Sequence, residues 1–106
     1  MKGEWIAIFA GATELPVAGE PLDGPPTLER MHRAVDGYIE IVPAFKVWRG
    51  RPCVAFCNED GKRLRLPVNR IATAAWEAAA GCSVAPDYLC GDVLVLTGDR
   101  AFMERL

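Results

Sequence analysis

A chain of 106 residues, 51% hydrophobic and 25% charged, is long enough for one globular core and too short for two. Its formal net charge of -2 excludes a general attraction to nucleic acid or to an anionic membrane, so binding of either kind needs a local patch. No stretch approaches the roughly 20 apolar residues of a spanning helix, and the apolar run after Lys2, flanked by Glu4 and Glu14, is too short for an export core.

Along the chain, "EWIAIFA" at 4–10 is rich in aromatic and branched side chains and predicts a buried strand. Residues 11–26 hold four prolines and three glycines, which predicts an irregular connection with a short extended piece near Leu15 to Val17. Thr27 is placed to cap a helix whose Leu28, Met31, His32 and Val35 share one face, with Gly37 as the left-handed residue that ends it. "YIEIV" then alternates as a second strand, Ile39 and Ile41 on one side and Tyr38 and Glu40 on the other.

After the basic connection "FKVWRGRP", the stretch "CVAFCNEDGKRLRL" predicts a hairpin with a three-residue loop, Glu59-Asp60-Gly61, Gly61 being left-handed. That register sets Phe56 opposite Leu64 and Val54 opposite Leu66, with Cys57 facing Arg63 and Ala55 facing Arg65. Asn69 caps a second helix, "RIATAAWEAAA", closed by Gly81, a role aspartate would fill equally well if capping were all the side chain did. "YLCGDVLVLTG" predicts a central strand bent at Gly91, and "AFMERL" a last helical turn. The expected fold is a single α+β domain over 1–106: a mainly antiparallel sheet of about five strands with two short helices on one face.

Four stretches in this order, Gly37-Tyr38-Ile39-Glu40, Asn58-Glu59-Asp60-Gly61-Lys62, Leu66-Pro67-Val68-Asn69-Arg70 and "CGDVLVLTG", resemble a family of short phage and mobile-element proteins described only as a domain of unknown function. The likeness runs from about Thr27 to Gly98. The chain departs from the family pattern in its longer proline-rich segment at 11–26 and in Asp60, where Glu is usual. The resemblance implies a phage, prophage or plasmid setting, in which small proteins act on host macromolecules, including defence complexes; it implies no activity.

No catalytic or cofactor signature stands out. Cys53, Cys57, Cys82 and Cys90 lack zinc-ligand spacing and, without an export signal, are expected as four unpaired thiols in a cytoplasmic protein. His32 lies on an apolar helix face, and a nucleophilic Cys57 would need the cation of Arg63 beside an open sulfur. The strongest feature outside the core is basic: seven Lys or Arg against two acids between Lys46 and Arg70.

From this cluster Lys46, Trp48, Arg49, Arg51, Arg63 and Arg65 are expected to form one partner-binding surface. The leading expectation is a non-enzymatic protein, without cofactor or metal, that engages a host protein complex there, as an inhibitor of a bacterial defence system would. A second is a nucleic-acid module using the same surface with Trp48 as a stacking platform. A third is a small-ligand binder centred on Tyr38, Glu40, Asn58, Asn69 and Arg70.

Overall fold

A computed structural model of the chain describes residues 1–16, 19–81 and 87–106. The α+β class is as expected, with six strands and three helices in the order β1 (Gly3–Ile8), β2 (Glu20–Leu22), α1 (Leu28–Val35), β3 (Ile39–Ile41), β4 (Val47–Trp48), β5 (Arg51–Asn58), α2 (Arg70–Ala80), β6 (Val93–Gly98) and α3 (Arg100–Met103). The sheet runs β2-β1-β6-β5-β3, every pair antiparallel, with β4 folded against the start of β5. The expected bend sits before β6, where Gly91 has φ +80°.

The unbroken apolar run of β6 has a direct reason: both its faces are covered. Val93 and Val95 pack with Ile6, Ile8 and Ala55 under Ala72 and Trp76 of α2. Leu94 and Leu96 pack on the other side with Phe56 under Met31 and Val35 of α1 and Phe102 of α3. The helices therefore lie on opposite faces of the sheet, which corrects the one-face expectation. The reason is visible in β5, where Cys53 and Ala55 serve one core while Val54 and Phe56 serve the other.

The expected 53–66 hairpin does not form. β5 already has a neighbour on each side, with Phe56 beside both Leu94 and Ile41, Val54 beside Leu96, Ala55 beside Val95 and Cys57 beside Glu40. No edge is left for residues 62–66, which coil through successive turns closed by Gly61 N–H to Asn58 O (3.1 Å), Leu64 N–H to Asp60 O (2.8 Å) and Leu66 N–H to Gly61 O (3.0 Å). The left-handed residue there is Arg65 (φ 56°), not Gly61, and Leu64 is half exposed. The tight hairpin lies one step earlier, joining β4 to β5 through Arg49 (φ 51°) and Gly50 (φ 76°), the two left-handed positions of a type I′ turn.

Local chemistry explains the helices. Thr27 Oγ1 accepts the Arg30 N–H, and Met31 and Val35 are buried, whereas Leu28 is exposed. The left-handed end residue of α1 is Asp36 (φ 57°). Gly37 is required for another reason: a Cβ there would lie 2.6 Å from Asn58 Nδ2. The short strand β2 was missed, and the piece expected at Leu15 to Val17 falls partly on Val17, outside the described residues.

Asn69 does more than cap α2. Its Oδ1 accepts the Ala72 N–H (3.0 Å), while its Nδ2 donates to the carbonyls of Ile8 (2.8 Å) and Gly91 (2.9 Å), all with the side chain fully buried. An aspartate would cap the helix but turn a carboxylate toward two carbonyls. We predict that Asn69→Asp destabilises at least as much as Asn69→Ala, each by about 2–4 kcal/mol. Denaturant unfolding that finds Asn69→Asp near-neutral would reduce the residue to a simple cap.

Candidate functional site

The structure divides the basic cluster. Lys46, Arg49 and Arg51 lie at the β4–β5 hairpin, whereas Arg63 and Arg65 follow the far end of β5, an eight-residue strand about 24 Å long. Several of these charges are engaged. Arg51 Nη1 lies 3.2 Å from Glu4 Oε2, Arg63 Nη2 3.2 Å from Asp60 Oδ2, and Arg49 donates to the Pro16 carbonyl with its guanidinium 5.4 Å above the Trp48 ring. Trp48 itself is buried and belongs to the α2-side core. One continuous basic surface with an open indole platform is thus not what the fold builds.

The residues picked as ligand candidates separate in the same way. Asn58 is buried: Nδ2 donates to the carbonyls of Val35 (3.0 Å) and Asp36 (3.1 Å), and Oδ1 accepts the Asp60 N–H (2.8 Å). Like Asn69, it is committed to the fold. Tyr38 is exposed and stacks edge-on with His32 at 5.4 Å, and Arg70 is exposed at the start of α2. Glu40, on β3, and Asn58 line one cleft; Tyr38, Asn69 and Arg70 are not among its lining residues.

That cleft has a volume of about 360 Å³ between β3, the turns after β5 and the N-terminal approach to β6. Its wall carries Glu40, Cys57, Glu59, Lys62, Trp76 and Tyr88, with Cys90 and Asp87 beside them. Lys62 bonds to Asp87 and sits 4.7 Å from the Tyr88 ring centre. The Asp87 bond holds the Lys62 ammonium above its ordinary pKa, and the Lys62 bond, aided by the Tyr88 N–H, holds the Asp87 carboxyl below its own. Burial pushes the Cys57 thiol up to about 11, with the Glu40 carboxylate adding to the effect, and burial likewise raises Cys90. The cleft can therefore hold a polar or charged group, but its thiols are protonated at neutral pH and poor nucleophiles.

A second concavity was not foreseen. A trough of about 450 Å³ runs between α2 and the β4 hairpin, floored by Ile71, Ala74, Ala75, Ala78 and Ala79 and walled by Leu15, Val47 and Arg49. The signal was in the sequence: alanines at 74, 75, 78 and 79 make a helical stripe beside the buried pair Ala72 and Trp76. Small side chains on one wall and half-exposed Leu15 and Val47 on the other leave apolar surface open to water.

Among the described residues no three His, Cys, Asp or Glu side chains converge as metal ligands, and no helix is long and apolar enough to cross a membrane. Cys53, Cys57 and Cys90 carry free thiols; Cys82 lies outside the described residues. In comparison with known proteins, the family model DUF3846, a domain of unknown function, matches residues 12–103. No curated protein and no solved structure matches the chain.

The raised thiols give a measurable expectation. With Cys53 and Cys57 both pushed up to about 11 by burial, their alkylation at pH 8 in the folded protein should be at least ~100-fold slower than that of free cysteine. Site-resolved mass spectrometry after timed iodoacetamide quenching checks this, and rapid labelling of Cys57 would restore it as a candidate nucleophile.

Proposed function

Since the chain belongs to the DUF3846 family, which brings no activity with it, we propose from its own surfaces that it is a small non-enzymatic binding protein. Its partner is a protein docked along the trough between α2 and the β4 hairpin. The observation that carries this reading is the trough itself, an open apolar channel beside basic side chains. Lys46 precedes β4, and Arg70 stands one helical turn before Ala74; neither has an ion-pair partner among the described residues.

An amphipathic helix fits this surface. Its bulky apolar side chains would lie over the alanines, and acidic residues at its margin would meet Lys46 and Arg70. The surface thus overlaps the expected 46–70 region but turns on Val47 and α2 rather than on Arg63 and Arg65. The finer reading, a phage or mobile-element protein acting on a host defence complex, is supported by the sequence resemblance in 27–98 and belongs to the same proposal. The division of the basic cluster weighs against the nucleic-acid reading, which needs several phosphate contacts on one track.

The test is affinity capture from a bacterial lysate treated with nuclease. The double variant Ala74→Glu with Ala78→Glu places carboxylates in the trough at exposed helix positions, and Arg63→Ser with Arg65→Ser serves as the control. A protein retained by wild type and by the control should fall at least ~10-fold with the glutamate variant, thermal melts showing all three folded. Retention of every partner by the glutamate variant sinks the reading. Loss of all captured material with nuclease turns it toward nucleic acid.

A further inference from the structure

Independently of the trough, we infer that the free edge of β3 is a docking strand for an extended, basic segment of a partner protein. β3 ends the sheet order, with β5 on one side and no strand among the described residues on the other. The register decides which backbone groups stay open. Glu59 N–H donates to Tyr38 O (2.9 Å) and Val42 N–H to Ala55 O (2.9 Å), so residues 38, 40 and 42 turn their polar groups toward β5. The N–H and C=O groups of Ile39 and Ile41 consequently point outward, and no described residue bonds to them.

The side chains of this edge state what it accepts. Ile41 is 62% exposed on the α1 face, and Tyr38 just before the strand is 69% exposed. This is an unusual amount of apolar surface for an edge left bare. On the opposite face Glu40 points with Cys57 into the cleft. Both basic side chains of that cleft are already bonded to acids, Lys62 to Asp87 and Arg63 to Asp60. Glu40 and Glu59 remain as carboxylates without an ion-pair partner among the described residues, so the uncompensated charge is negative.

A second copy of the chain fits poorly. The antiparallel two-fold register that uses all of β3 in both copies pairs Ile39 with Ile41 and sets Glu40 directly against its own equivalent, a like-charge pair. An incoming strand with a lysine or arginine opposite Glu40, between two apolar residues, satisfies every feature at once. Its backbone would bond Ile39 and Ile41, one apolar side chain would cover Ile41, and the cation would enter the cleft between Glu40 and Glu59.

Two blocked peptides, acetyl-Thr-Val-Lys-Val-Thr-amide and acetyl-Thr-Val-Glu-Val-Thr-amide, test this when titrated at millimolar concentration and followed by backbone amide NMR of the full chain. The lysine peptide should shift the amides of Ile39 and Ile41 and slow their hydrogen exchange about tenfold at saturation. It should bind about five- to tenfold more tightly than the glutamate peptide, and Glu40→Lys, at an exposed position, should invert that order. Ile41→Pro, which removes an outward N–H, should abolish binding of both peptides. Shifts centred elsewhere, or equal affinity for the two peptides, overturn the proposal. So does a concentration-dependent dimer in light scattering that Ile41→Pro dissociates, which would make a second copy the occupant.

Discussion

The carboxamide of Asn69 joins three segments far apart in sequence: the end of β1, Gly91 two residues before β6, and the first turn of α2. The bond from Ala72 closes a helix N-terminal N–H in a fully buried place, where leaving it unpaired is costly, and the two carbonyls give the buried amide donors their partners. This side chain fixes the start of α2 over the sheet, the core packing of Ala72 and Trp76 and the Trp76 bond to the Pro43 carbonyl hold the rest, and the helix so placed floors the trough. Asn58 repeats the device on the other face, tying the end of β5 to the last carbonyls of α1 and starting the turns that border the cleft.

What was legible in the sequence was local. Thr27 and Asn69 mark helix starts because a cap is a relation between residues three apart, and Ile39 and Ile41 mark a strand because alternation needs only a few positions. The Lys62 to Leu66 stretch alternates just as well, yet it forms no strand. Pairing is a competition for edges, and β3 and β6, which come from elsewhere in the chain, hold both edges of β5. The reach of Asn58 back to Val35 is equally invisible to any local pattern.

The candidate sites turn on the same limit. Lys46, Arg49, Arg51, Arg63 and Arg65 are close in sequence, but the extended strand from Arg51 to Asn58 carries the first three away from the last two. Glu40 stood out because a carboxylate between two isoleucines is legible as a half-covered strand, and its position opposite Cys57 gave that reading a place. The alanines at 74, 75, 78 and 79 form a stripe along one side of α2. An alanine stripe lets a neighbour approach the helix closely without saying whether that neighbour is the protein's own sheet, and here part of it faces solvent.

The central place of β6 also governs how the chain can reach its fold. Its register with β1 joins Gly3 to Gly98, and in the sheet order it stands between β1 and β5. Until it docks, both neighbours present unpaired edges and apolar faces, and the loops to be closed are among the longest this sequence allows. Such a topology folds slowly for its size, and its vulnerable species is a chain in which the outer strands and helices wait for their middle.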